Sequence, residues 1–430
     1  MRLLVIFAVC AISAVAADRV ATLYDAIRGV LQQLAPAELK TADARAFNAW
    51  SREKDLAIRA RLEQGDVDSM VNLLLFGTTF TSQPRMTVDN LGAETRAGLL
   101  RARLDDLLRG LAKPGDNERM VFLRTLLSNK GYEGGSAGPF ILENLQRVLK
   151  EKVAIAQRIE ATPDSSSVFS NRGVSLDTTI LPNYGIDAAL RELKARGLVR
   201  AGQVTRAAIV GPGLDFIDKE SGFDYYPQQT LQPFAVHDSL KRLGLIGAGP
   251  QITILDISPR VLEHVQAARA RSAKGQAYSI QLPRNAGAAW TAAALDYWGT
   301  FGAGLAEPVA AVATPGSLKN VETRAVRFPA SAVLALDSAD VNIVGQRLAL
   351  KASEKFDLVV ATNILVYYDP FEQALALANI AAMLKPGGFL LTNDQLPEVP
   401  SVPMRAVGHT TVVYSEKPRT GDAVFWYQRQ

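Results

Sequence analysis

The spacing of apolar positions changes character part-way along this chain. Up to about Lys152 the period is helical. Leu100, Leu104, Leu107, Leu108 and Leu111 recur at three- and four-residue steps, on one face of a helix. Lys113-Pro114-Gly115-Asp116 breaks that helix. A second periodic stretch covers residues 140–159, behind a glycine-rich turn at 131–138. Strand signals are nearly absent from this half. A hydrophilic break follows at Thr162-Pro163-Asp164-Ser165-Ser166-Ser167. Beyond it the pattern alternates strand, loop and helix. A helix over 186–196 stops at Gly197, and short β-rich runs occupy 207–210, 252–255, 356–361 and 389–392. Such alternation predicts a parallel sheet with helices on both faces. In the tail, residues 410–414 and 423–427 alternate around a turn, which predicts a hairpin and an antiparallel edge. The expected organisation is a helical N-terminal domain over 17–165 and an α/β domain over 166–430.

The first residues stand apart. Arg2 precedes an apolar run over 3–16, too short for a membrane span of about 20 residues. Ala14-Val15-Ala16 has the small-residue form of a cleavage site, so residues 1–16 read as a signal peptide or an anchor. That reading places the protein outside the cytoplasm, exported or periplasmic; a later start site would make it cytoplasmic. No later run is long enough to span a membrane. The single cysteine, Cys10, lies in this segment. Its removal leaves no thiol for a disulfide, a thiolate zinc site or a nucleophile. With only His237, His264 and His409, a histidine-based metal cluster is not expected, and no metal site is assigned. Lys and Arg number 47 against 43 Asp and Glu, with no dense basic block, so nucleic acid is not favoured as a partner.

Four motifs carry the chemistry. The first is Ala207-Ala208-Ile209-Val210-Gly211-Pro212-Gly213-Leu214-Asp215, an apolar strand running into Gly-x-Gly. Glycine there lets a ligand approach the backbone closely. Phe216 stands where a dinucleotide fingerprint needs a third glycine, which disfavours a nicotinamide oxidoreductase. The second is Ile252-Thr253-Ile254-Leu255-Asp256-Ile257-Ser258, a strand ending in an acid. A carboxylate there can accept both hydroxyls of a ribose, or can cap the helix that begins near Pro259. The distance from Gly213 is about twice the usual spacing of about 20 residues, so residues 222–250 read as an insertion. The third is Phe356-Asp357-Leu358-Val359-Val360-Ala361-Thr362-Asn363-Ile364-Leu365-Val366-Tyr367-Tyr368-Asp369. It puts Asn363, Tyr367 and Tyr368 at the carboxyl end of a buried strand, where an open α/β sheet binds its ligand. The fourth, Met383-Leu384-Lys385-Pro386-Gly387-Gly388-Phe389, reads as a helix end, a turn and a strand.

In this order the motifs resemble the class I S-adenosylmethionine-dependent methyltransferases, over roughly residues 207–430. The third and fourth are the specific part, and the third is locally similar to the chemotaxis-receptor glutamate methyltransferases. The resemblance implies a Rossmann-like, seven-stranded α/β sheet whose last strand is antiparallel, and S-adenosylmethionine as cofactor. It implies that Gly211, Pro212 and Gly213 pass under the methionine part and that Asp256, with Ile257, holds the ribose. Asp340, with Asp337 as the alternative, would meet the adenine amino group, and the Val341 amide the ring. Asn363 belongs to both cofactor and catalytic sets, with Asp215 and Tyr368 as the other catalytic candidates. Two features depart from the family: Ile209 replaces an acid often found there, and Asp215 replaces a glycine. The absence of an Asn/Asp-Pro-Pro-aromatic motif argues against exocyclic base amines as substrates. The acceptor, small molecule or protein, is not named by these residues.

Three further groups are open. The aromatic stretch 218–230 is a lid or a packed loop. Trp290, Tyr297 and Trp298 are core or acceptor wall. His237 is the one histidine placed to be a base. An exported chain would lack a cytosolic cofactor, so a second expectation is an exported, inactive domain that binds with the same fold.

Overall fold

A computed structural model describes residues 17–86, 93–161, 172–218 and 221–430. The expected signal segment and the hydrophilic break at 162–167 lie outside them. Seven strands build the main sheet: β1 (Val204–Val210), β2 (Ile246–Asp256), β3 (Leu336–Asp340), β4 (Phe356–Val360), β5 (Leu384–Thr392), β6 (Met404–Glu416) and β7 (Arg419–Arg429). Their spatial order is β6-β7-β5-β4-β1-β2-β3. β1 to β5 are parallel, and the β6–β7 hairpin adds the antiparallel edge expected from the tail. The chain runs outward one way from β1 through β2 and β3, then returns to β4 on the other side. Strand order therefore reverses between β1 and β4, and a crevice opens outside their carboxyl ends.

Ala207, Ala208, Ile209 and Val210 are buried, as a central parallel strand requires. The helices of this half are α2 (Leu181–Ala195), α3 (Gln232–Arg242), α4 (Pro259–Ser272) and α5 (Pro370–Met383); the long N-terminal helix is α1 (Ala44–Phe76). α5 starts as its sequence dictates: Asp369 accepts from the Glu372 amide, Glu372 reciprocates, and Pro370 needs no donor in the first turn.

α1 belongs to two cores. Phe47, Ile58 and Leu62 pack into the core of the sheet, with Ile27 and Leu31 from just before it. Met70, Val71, Leu73 and Leu74 pack with the helices Ala93–Ala112, Glu118–Asn129 and Ala137–Ala161. There Leu104, Leu107 and Leu111 are buried, as their spacing predicts. Phe216 and Ile217, just after the glycine turn, enter this second core. The helical part thus reaches the sheet along one continuous helix. Among the described residues no helix is long and apolar enough to cross a membrane.

Three elements differ from expectation. Pro386-Gly387-Gly388 is not a turn between helix and strand. β5 begins directly after Met383, and these residues form an irregularity within it, where the register against β4 shifts between Leu384 and Phe389. Arg19–Ala21 is a strand paired with Gln346–Leu348; three residues carry no visible alternation. Between α4 and β3 the chain builds a three-stranded antiparallel sheet from Tyr278–Asn285, Glu307–Val309 and Val321–Phe328.

Candidate functional site

The glycine turn sits at the carboxyl end of β1. The Gly211 amide donates to the Leu255 carbonyl at 2.9 Å, the last rung shared with β2. Gly211 and Gly213 then turn with φ of 62° and 75°, a region that side chains disfavour. Across the crevice Asn363 also has a positive φ, 59°. It is held there by a reciprocal pair with Asn393: its amide donates to Asn393 Oδ1 and its Oδ1 accepts from Asn393 Nδ2, both at 2.7 Å. Asparagine is among the few side chains that tolerate this region.

Two cavities flank the turn, and both touch Gly211, Gly213 and Asn363. The larger, about 370 Å³, also meets Pro212, Asp177, Gln232 and Thr362. The smaller, about 40 Å³, also meets Asp256, Ile257, Val341 and Tyr368. Sequence-expected residues are thus brought together on two sides of one loop.

Asp256 ends β2 in register with Asp340, which ends β3. Asp256 is buried; Oδ1 accepts from the Ser258 amide at 2.7 Å and Oδ2 has no hydrogen-bond partner. Burial pushes its carboxyl up to about 7. A desolvated carboxylate oxygen without a donor is costly unless something completes it. Asp340 behaves differently. It is half-exposed, touches neither cavity, and pairs with Arg59 at 2.7 Å and Arg19 at 2.9 Å. The Val341 amide, expected to face a ring, donates to the Asp256 carbonyl at 3.2 Å. The Ile257 carbonyl accepts from Arg59 at 3.3 Å. Asp337, the alternative acid, accepts from the Ser338 amide.

Asp215 departs from the expected catalytic placement. It lines neither cavity and is buried beneath the turn, where Oδ2 accepts from Tyr226 Oη at 2.9 Å and Gln229 Nε2 at 3.0 Å. Burial first, then the nearby Asp218 charge, pushes its carboxyl up to about 8. Its role here is to anchor residues 221–230 through Tyr226 and Gln229. The described residues of that stretch are packed: Phe223, Tyr225 and Tyr226 form a small cluster, and Asp224 accepts from Thr78 and Thr79. An acid with a folded pKa raised above its unfolded value is protonated when folded and ionised when unfolded. Its contribution to stability therefore falls as pH rises from 3.8 to about 8. Asp215→Asn keeps the shape without the charge. Urea denaturation should show the variant gaining on the parent by up to about 1.4 kcal/mol per pH unit across that window; a gap independent of pH would contradict the assignment.

Tyr368 is buried on the side of the smaller cavity, and burial holds its phenol well above its usual range. It remains a neutral donor. His237 lies in α3 away from both cavities, and burial lowers its pKa to about 4. Tyr297 packs against Tyr184 and Phe301, and Trp298 Nε1 donates to the Leu282 carbonyl at 3.1 Å. Neither Tyr297 nor Trp298 lines a described cavity at the turn.

No protein-family model and no curated protein matches the chain. Among solved structures, the chain is similar to the N-methyltransferase NodS from Bradyrhizobium japonicum WM9. Identity is 13%, over 57% of this chain and 94% of that one, with a TM-score of 0.27. It is also similar to the magnesium protoporphyrin IX methyltransferase ChlM from Synechocystis PCC 6803. Identity there is 10%, over 58% of this chain and 80% of that one, with a TM-score of 0.27. The sheet itself decides the fold. Five parallel strands, a glycine turn after the first and an antiparallel hairpin at one edge are the arrangement the motifs implied. It is a class I methyltransferase fold.

Around this methyltransferase fold, three contributors come from outside the four motifs. Residues 173–178 lie across the glycine turn, and the Leu176 carbonyl accepts from the Leu214 amide at 3.0 Å. α1 carries that segment: the Val174 amide donates to the Arg61 carbonyl, and a Cβ at Gly65 would lie 1.9 Å from the Val174 carbonyl oxygen. Asp177 and Gln232 line the larger cavity, and Arg59 donates to the Ile257 carbonyl. Nothing in the local sequence marks them, because a helix glycine and a polar residue after a break gain meaning only from what crosses them.

Proposed function

We propose that this chain is an S-adenosylmethionine-dependent methyltransferase. The observation that carries the reading is Asp256. Its Oδ2 is buried and lacks a donor at the end of β2, beside a turn whose glycines take positive φ. A ribose diol supplies two donors of the kind that oxygen lacks, so the residues fit the cofactor. Asp256 would hold the ribose on the side of the smaller cavity. Gly211, Pro212 and Gly213 would underlie the methionine part, and Asn363 would face both. The bound cofactor supplies a methyl group carried on a cationic sulfur. The chain's own work is to position an acceptor in line and to exclude water. For that work Asn363 has the placement and Tyr368 stays protonated as a donor. Neither Asp215 nor His237 is placed to act as a base.

One observation favours a second reading, an exported domain that kept the fold and lost the chemistry. The space beside Asp256 is only about 40 Å³, with Leu62 and Val174 pressed onto it. A nucleoside enters only if α1 and residues 173–178 give way. Calorimetric titration of residues 17–430 with S-adenosylmethionine, S-adenosylhomocysteine and NAD separates the readings. Saturable binding of the two adenosyl ligands with none of NAD supports the enzyme; folded protein that binds neither supports the inactive domain.

A further inference from the structure

The middle of α1 lies across the carboxyl ends of β2 and β3. Asp55, Ile58, Arg59, Leu62 and Asp66 recur at helical spacing, so one face of α1 carries them. Arg59 donates to Asp340 at 2.7 Å and to the Ile257 carbonyl at 3.3 Å. Asp55 accepts from Arg59 at 3.1 Å and from Asn342 Nδ2 at 2.8 Å. Asp66 pairs with Arg260, in the first turn of α4, at 2.6 Å. Between these contacts Leu62 lines the smaller cavity together with Asp256.

Arg59 takes the place of a ligand group. Asp340 ends β3, where a base amino group was expected, and its carboxylate accepts instead from Arg59 and Arg19. A guanidinium offers N–H donors, as an exocyclic amine does. Asp256, beside it on β2, keeps an oxygen without a donor at a cavity of about 40 Å³. Ligand pockets begin at about 300 Å³. α1 thus satisfies one acid and shuts off the other.

The two ends of α1 are braced. Near its start Trp50 packs on Phe371, ring centroids 5.3 Å apart, and Lys54 pairs with Glu372 at 2.9 Å. Near its end Met70 to Leu74 lie in the second core. Gly65 stands between the braced end and the span over the crevice, and a glycine weakens a helix where it sits. What can yield is the span 55–62.

We propose that residues 55–62 of α1 are an autoinhibitory cover on the nucleoside end of the crevice, latched by Arg59, and that the ligand binds by displacing it. As regulation of that site, the proposal rests on the cofactor assignment above. A site that is open for a fraction of the time binds with affinity reduced by that fraction. Weakening the latch therefore tightens the ligand, the reverse of losing a binding residue.

The test reads S-adenosylhomocysteine affinity by calorimetry and amide hydrogen exchange by mass spectrometry. Arg59→Met and Asp55→Ala should each tighten the ligand about fivefold, the upper end for a partly exposed ion pair. Both should speed exchange over 55–62 in the unliganded chain and leave 67–74 unchanged. Asp55→Ala keeps Arg59, so a gain shared by both variants does not come from a new contact, and it serves if Arg59→Met fails to fold. Saturating ligand should also speed exchange over 55–62 in the unaltered chain. Affinity lowered or unchanged in both variants would overturn the proposal, as would slower exchange over 55–62 when ligand binds the unaltered chain. Faster exchange in both variants with no ligand bound by any of the three chains would instead count against the cofactor and leave the latch standing.

Discussion

Gly213→Ala is expected to destabilise the chain by about 2–3 kcal/mol and to remove measurable binding of adenosyl ligands. Gly213 has φ of 75°, and a Cβ there would lie 2.5 Å from the Leu176 carbonyl oxygen. The left-handed region alone costs a side chain about 1–2 kcal/mol. Relieving the clash moves a backbone carbonyl, and that carbonyl accepts from the Leu214 amide at 3.0 Å. Losing the bond adds about 1 kcal/mol. Both cavities share this turn and residues 175–176, so the shift deforms both. Gly211→Ala is the internal control. Its φ is 62°, but its Cβ would meet the Ile364 side chain at 3.0 Å, which can rotate. It should cost about half as much. Urea denaturation of the two variants checks the order; equal costs would show that the Leu176 contact imposes no constraint.

Asp256→Ala is expected to separate stability from binding. Deleting two hydrogen bonds from ribose hydroxyls to a carboxylate should cost about 2–4 kcal/mol of affinity, roughly thirty- to a thousandfold. The folded chain should lose no stability from the charge, because an incompletely paired buried carboxylate is removed. The pH dependence has a definite sign. With its pKa raised from 3.8 to about 7, Asp256 destabilises the unliganded chain progressively as pH rises through that window. The ligand prefers the ionised form, so affinity should rise with pH and level off above about 7. Asp256→Asn should bind weakly at every pH and show no such rise. Calorimetry at pH 6 and pH 8 reads both effects; a parent whose affinity ignores pH would contradict the ribose assignment.

Four of the five parallel strands were legible because each holds an apolar run bounded by glycine or a polar residue, which local pattern carries; β3, Leu-Asp-Ser-Ala-Asp, is too polar to show one. The hairpin was legible from alternation. Gly211, Gly213, Asp256 and Asn363 reached the crevice because a strand's carboxyl end fixes where its last residues go. Asp340 did so only in the chain direction: its side chain is taken by Arg59, a residue on α1 that no local pattern links to β3. Asp215 was misplaced for a similar reason. It follows the glycine turn, but Tyr226 and Gln229, delivered by the insertion, draw it under the loop. Gln232 and Asp177 carried no signal because their surroundings are built from residues far away in sequence.

The central claim is that Asp256 and the glycine turn hold an adenosyl cofactor. The most direct measurement is a crystal structure of residues 17–430 grown with S-adenosylhomocysteine. The account predicts both ribose hydroxyls within hydrogen-bond distance of the Asp256 carboxylate, the thioether sulfur above Gly211 and Gly213, and α1 with residues 173–178 drawn back from the smaller cavity. Density for the ligand elsewhere, or a closed cavity at Asp256 at saturating ligand, would contradict it.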